Sequence, residues 1–178
     1  MSSIAGGNYY WDVFVFEDLV YALERWFHVV HVYRNHNNSL IKLHDFRYPC
    51  GCNVRFPCHS IIVTNEHIIQ CCTAGNIVSI LNRSGELLRH IPIADISKLQ
   101  PILCQVDIDG NFLIADRFAN HLLIAHLNQP CSQWRVVNFR DSSHLLGCVG
   151  AVWFRHKLHA ASRQGRLTTF APVDTQSP

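Results

Sequence analysis

DIDGNFLIADRFANHLLIAHLN, residues 107–128, decides how the rest of the chain reads. The pair Asp109-Gly110 separates one short apolar run from another, Phe112 to Ala115. Asp-Gly between apolar runs signals a hairpin, because a tight two-residue turn needs a positive φ that glycine adopts without steric cost. A polar loop, Asp116 to Asn120, leads into a third run, His121 to Leu127. The unit is strand, turn, strand, loop, strand.

The unit recurs along the chain. His121-Leu122-Leu123-Ile124-Ala125 aligns with His28-Val29-Val30-His31-Val32, Asn76-Ile77-Val78-Ser79-Ile80 and Gly165-Arg166-Leu167-Thr168-Thr169. By subtraction the anchors His28, Asn76, His121 and Gly165 lie 48, 45 and 44 residues apart. Upstream of each anchor sits an apolar run: Leu19–Leu23, His67–Cys72, Asn111–Ala115 and Lys157–Ala161. A further run precedes each of those: Asp12–Phe16, Ser60–Thr64, Leu103–Asp107 and Cys148–Phe154. A fourth follows three of the anchors: Ser39–Leu43, Glu86–Ile91 and Trp134–Asn138. These segments are rich in Val, Ile, Phe and Tyr and lack helical periodicity. Four short strands in a repeat of this length make a propeller blade.

The expected fold is therefore all-β, a β-propeller of about four four-stranded blades. Residues 1–11 form an N-terminal extension, residues 12–171 the propeller arc, and residues 172–178 a tail. The blades fall at 12–45, 60–91, 103–138 and 148–171, and the last has no clear fourth strand. Known propellers have 4–8 blades. An incomplete ring leaves strand edges open, which invites association. Three readings follow: further blades or domains in a longer protein, a small four-bladed ring completed by residues 1–11, or self-association of two arcs. The first is favoured.

Bulk properties set the class. The 178 residues suffice for one domain with a substantial core, and 48% hydrophobic with 16% charged residues is too apolar for disorder. A net charge of +2 neither demands nor excludes RNA. No apolar run approaches the roughly 18–20 residues of a membrane span, so no membrane partner is expected. The start MSSIAGGNYYWD has neither a basic region nor an apolar core, so it does not read as a signal peptide. The expected compartment is the cytoplasm, with the eight cysteines reduced.

At Asp107 to Leu127 the sequence resembles an NHL repeat, and the chain's period is similar to that of the NHL domains of tripartite-motif proteins. Asp109-Gly110, Leu113-Ile114-Ala115-Asp116, Asn120-His121 and Leu123 carry the resemblance. The first blade keeps Tyr21-Ala22 and His28, with Leu23 where the pattern has Asp. The second has Cys71 there and Gly75-Asn76 for Asn-His, and the fourth keeps Ala160. The repeat positions Asp109, Gly110, Asp116, Asn120, His121, His28, Asn76 and Gly165 read first as structural. Asp116 and Asn120 would bond loop backbone groups, and the histidines would begin equivalent strands. The resemblance implies a binding module, such as the substrate-recognition part of a ubiquitin ligase, or an RNA-binding propeller.

Candidate chemistry is sparse. Cys50-Gly51-Cys52 with Cys58-His59 gives a weak zinc candidate, because structural zinc takes four Cys or His ligands. The C-x-C spacing constrains a tetrahedron poorly, and an ordered loop between blades is the simpler reading. No cofactor is expected. The first strands DVFVF, SIIVT, LCQVD and CVGAVWF have apolar interiors, and no catalytic triad order or phosphate loop stands out, so catalysis is not expected. A lyase or hydrolase with a channel metal is the remaining enzyme reading.

Loops joining second to third strands, and successive blades, share one face of a propeller. That face would hold Arg25, Trp26, Phe27, Arg47, Tyr48, Arg55, Phe56, Lys98, Arg117, Phe118, Arg140 and Arg163. Arginine beside aromatics grips phosphates and stacks single-stranded bases, and the same types dominate protein hot spots. Glu24, Asp45, Asp95, Asp116 and Asp141 fall there too and dilute the charge. The partner is expected to be a protein, with single-stranded RNA as the alternative.

Overall fold

The computed structural model describes residues 10–24, 28–47, 58–72, 77–93, 101–106, 111–116, 121–126, 135–138, 148–154, 157–162 and 165–170. They form fifteen strands and no helix. The chain divides into two compact units, Met1–Ala94 and Asp95–Pro178.

The first unit holds two antiparallel four-stranded sheets with neighbours in sequence order. One is β1 (Tyr10–Phe16), β2 (Leu19–Glu24), β3 (Val29–His36) and β4 (Ser39–Arg47). The other is β5 (Cys58–Val63), β6 (His67–Cys72), β7 (Ile77–Asn82) and β8 (Leu87–Pro92). The middle strands carry the longest apolar runs because both of their faces are covered; five of the six residues of β6 are buried. The outermost strand β4 has no buried residue.

Tight turns join the strands. Asn37 and Asn38 both take positive φ, 49° and 63°, between the paired residues His36 and Ser39. That is a two-residue turn whose twist suits a hairpin, and asparagine tolerates it better than most side chains. Because two residues suffice, β3 runs on to His36 through the polar residues Arg34 and Asn35. Glu17, φ 56°, opens the equally short β1–β2 turn, where Asp18 accepts the Asn35 amide through its carbonyl and holds the Arg34 guanidinium at 3.1 Å.

The core of this unit lies between its two sheets. Tyr21, Leu23, Val30 and Val32 of the first meet Ile61, Val63, Ile68, Cys72 and Leu81 of the second. Two polar side chains, Asp12 and Arg83, and one close apolar approach, Gly85 to Phe46, cross the same seam. Asp12 accepts the Ile61 amide at 2.9 Å while its other oxygen caps the Val13 amide. Arg83, in the β7–β8 turn, donates to the Thr64 carbonyl and to the Tyr21 hydroxyl, the latter at 2.7 Å, and lies 4.8 Å from the Phe16 ring centroid. Gly85 in the same turn takes φ +89°, and its α-carbon sits so close to Phe46 that a Cβ would lie 2.4 Å from the ring. Asn82 organises that turn by accepting the amides of Ser84 and Glu86.

In the second unit, β9 (Pro101–Val106), β10 (Asn111–Asp116), β11 (His121–His126) and β12 (Arg135–Asn138) form another four-stranded sheet. β13 (Cys148–Phe154), β14 (Lys157–Ser162) and β15 (Leu167–Phe170) form a three-stranded one. β13 runs beside β9 and β10. Leu113, Ile114, Leu123, Ala151 and Ala160 are buried.

Two regularities were hidden in the sequence. Every pairing of a first with a second strand carries a register shift, at Tyr10/Asp12, Cys58/Ser60, opposite Leu113/Ile114, and at Cys148/Gly150. A bulge adds twist where the ladder needs it. Second, each second-to-third connection is four residues long, so the third strands start at Val29, Ile77, His121 and Leu167, by subtraction 48, 44 and 46 residues apart. Relative to His121, the sequence alignment was therefore one residue out in the first two blades and two residues out in the fourth. His28 has φ 55° and ends its connection, whereas His121 begins its strand, so the two histidines are not equivalent. Glu24, not Leu23, shares the strand-end position of Asp116.

Candidate binding site

A cleft of about 360 Å³ opens where β2 ends, β3 begins and β4 ends. Glu24, Val29, His31, Asp45, Phe46 and Arg47 line it. The ladder explains the grouping. Ala22, His31 and Asp45 lie opposite one another across three strands, so the ring of His31 reaches the carboxylates at the same end of the sheet.

His31 is buried and lies between two acids. Its Nε2 is 3.1 Å from Glu24 Oε2, and its Nδ1 is 3.5 Å from Asp45 Oδ2. The Glu24 side chain is 9% exposed and that of Asp45 50%, so one acid is sealed and the other open to solvent. Lys42 donates to Asp45 at 2.7 Å, and this bond is the main cause holding the Asp45 carboxyl below its ordinary range. Tyr10 sits edge-on to His31, ring centroids 5.9 Å apart, and shares a 3.0 Å hydrogen bond with Tyr33. Burial first, then the Tyr10 hydroxyl, pushes Tyr33 up to about 12. A carboxylate beside each ring nitrogen, the nearer being Glu24, fixes the orientation of the imidazole. With Arg47 exposed at the rim, the cleft offers both signs of charge beside Val29 and Phe46.

Arg47 is thus the described member of the expected loop face, and it reaches the cleft with Glu24 and Asp45. Arg25, Trp26, Phe27, Tyr48, Arg55, Phe56, Lys98, Arg117, Phe118, Arg140 and Arg163 lie outside the described residues. So do Asp109, Gly110, Asn120 and Asn76 of the repeat motif, and Cys50 and Cys52. Asp116 is the last residue of β10, opposite Pro101, and not a loop residue. Gly165 keeps a left-handed φ of +78° in open space. Cys58 and His59 belong to β5, not to an interblade loop, and β4 extends to Arg47, so the connection between the first two blades is shorter at both ends than expected. Among the described residues no cluster of three or more His, Cys, Asp or Glu could hold a metal ion. No helix among them is long and apolar enough to cross a membrane.

Sequence reasoning missed His31. Its signal was faint: a polar residue within HVVHVY, at the third position of the strand, where β7 has Ser79 and β15 has Thr169, each bonded to a cross-strand histidine.

No protein-family model matches the chain, and no curated protein does. Solved structures do. A streptogramin B lyase is 12% identical with a TM-score of 0.63, over 97% of this chain and 58% of the lyase. The Pan2 WD40 domain of Neurospora crassa is 13% identical with a TM-score of 0.67, over 94% of this chain and 48% of that one. The computationally designed protein Ika4 is 8% identical with a TM-score of 0.59, over 96% and 95%. At such identities the likeness shows the fold alone. The chain has a β-propeller fold, its described strands forming three four-stranded antiparallel sheets and one three-stranded one, and it spans little more than half of the lyase and about half of the WD40 domain.

Proposed function

We propose that the chain is a non-catalytic propeller module that recruits a protein partner through the loop ends of its blades. The observation that carries this is the mixed-charge cleft of Glu24, His31, Asp45 and Arg47 at that end of the first blade. A groove for single-stranded nucleic acid needs cationic and aromatic groups tracking phosphates. Here two carboxylates face the space a phosphate would enter, which favours a protein surface carrying both charges. The NHL-like motif at Asp109 to His121 supports a place beside substrate-recognition propellers of ubiquitin ligases, acting in the cytoplasm.

The test compares the purified chain with its Arg47→Glu and Glu24→Gln variants. Partners captured by the wild type are purified, and their binding is remeasured alongside fluorescein-labelled random single-stranded RNA at 50 and 200 mM salt. The reading expects a protein whose affinity falls at least about tenfold in either variant, and RNA binding no tighter than the roughly 10⁻⁴–10⁻⁶ M of non-specific association. RNA binding in the nanomolar range, with a steep salt slope, would replace it with the RNA-reader alternative.

A further inference from the structure

The outer strand β4 differs from the other strands at sheet ends. It is nine residues long, against six in β8 and four each in β12 and β15. At about 3.3 Å per residue it presents roughly 30 Å of edge. In the sheet order it is hydrogen-bonded on one side, to β3. Leu40, Ile41 and Leu43 are 40%, 50% and 41% exposed. Leu40 and Ile41 point to opposite faces, since they pair with the adjacent residues Asn35 and Arg34. The strand thus exposes apolar side chains on both faces and, among the described residues, is unpaired along one edge, the combination that soluble proteins ordinarily suppress.

We propose that this edge takes up an extended peptide segment of another protein by strand addition, a surface beyond the loop-end cleft. Main-chain hydrogen bonds would supply affinity, and the side chains of successive residues would rest on Leu40 and Ile41 on the two faces. The charge of the strand defines the peptide further. Asp45 is neutralised by Lys42 at 2.7 Å, which leaves Arg47 as a cationic group on β4. A peptide with consecutive apolar residues flanked by a carboxylate is the complement. A second copy of this chain is disfavoured as occupant. Lys42 and the register shift between Val32 and Tyr33 interrupt β4 near its middle, and such lysines and bulges hinder self-pairing.

A random nonapeptide display library selected on the full 178-residue chain provides the probe. Enriched peptides are synthesised and studied by amide hydrogen exchange and fluorescence polarisation. The proposal predicts apolar-acidic sequences that slow exchange within Ser39–Arg47. Affinity should fall at least about tenfold on N-methylation of alternate peptide amides, and similarly in Ile41→Lys, an exposed position where the fold tolerates the change. The proposal is overturned if no peptide is enriched over bare support, if protection falls outside Ser39–Arg47, or if N-methylated peptides bind equally well. It is also overturned if the chain alone forms a dimer protected at Ser39–Arg47, which would assign the edge to a second copy.

Discussion

Gly85 and Gly165 form a natural pair of experiments, because both have positive φ and only one is crowded. An alanine at either must adopt a left-handed backbone, at about 1–2 kcal/mol. At Gly165 nothing lies within 4 Å of the new Cβ, so that strain is the whole expected effect. At Gly85 the Cβ would fall 2.4 Å from Phe46 Cδ2 and Cγ and 2.8 Å from its Cβ. Phe46 is packed against the core between the two sheets and cannot swing clear without opening that seam. Overpacking of this kind adds about 1–3 kcal/mol. Gly85→Ala should therefore lose about 2–5 kcal/mol, and Gly165→Ala about 1–2 kcal/mol. Urea unfolding followed by tryptophan fluorescence measures both, with the slopes checked so that the midpoints can be compared. Adding Phe46→Ala supplies the coupling: the double variant Gly85→Ala/Phe46→Ala should lose less than the sum of the single variants by about 1–3 kcal/mol. Equal losses at the two glycines, or strict additivity with Phe46→Ala, would mean that the β7–β8 turn does not rest on Phe46.

Other outcomes follow from the same seam and from the cleft. Arg83→Ala removes hydrogen bonds to Thr64 and Tyr21 and the contact with the Phe16 ring; thermal unfolding should show a loss of about 2–3 kcal/mol, and Arg83→Lys should recover little of it. Gln70 is fully buried, and neither its amide nitrogen nor its oxygen has a partner among the described residues. Gln70→Leu should raise stability by about 1–2 kcal/mol in the same melt, and a loss instead would reveal a buried water bonded to the amide. Tyr33 should ionise near 12, read by absorbance at alkaline pH, and Tyr10→Phe should bring that value down. Because the folded value exceeds the ordinary 10, this group's contribution to stability is whole below pH 10 and is lost as pH rises towards 12.

The parts of this architecture that were readable from the sequence are those where burial dictates residue type. β6 and β13 were bounded correctly at both ends, His67–Cys72 and Cys148–Phe154, because each is a compact apolar run between polar turns. β4 was expected to stop at Leu43 and continues to Arg47: a strand with no buried face needs no apolar pattern, so His44-Asp45-Phe46-Arg47 read as connection. The bulges in the first strands leave no compositional mark, since an extra residue in a ladder is a property of pairing. Asp12 looked like an ordinary strand start, and its task is to accept the amide of Ile61, 49 residues away. Its burial raises its pKa despite the two amide bonds, a sign that the acid is held for its geometry. Glu24, Asp45 and Arg47 stand at the ends of β2 and β4, but the histidine joining the acids comes together with them only through the three-strand register of Ala22, His31 and Asp45, which no local pattern of residues reveals.

The central claim, that the loop end of the first blade is the recruiting surface, is tested most directly by amide hydrogen exchange with and without the captured protein partner. The account predicts slowed exchange at the end of β2, the start of β3 and residues Asp45 to Arg47, which border the cleft. Protection confined to the opposite ends of the strands, at the Glu17-Asp18, Asn37-Asn38 and Arg83–Gly85 turns, would contradict it.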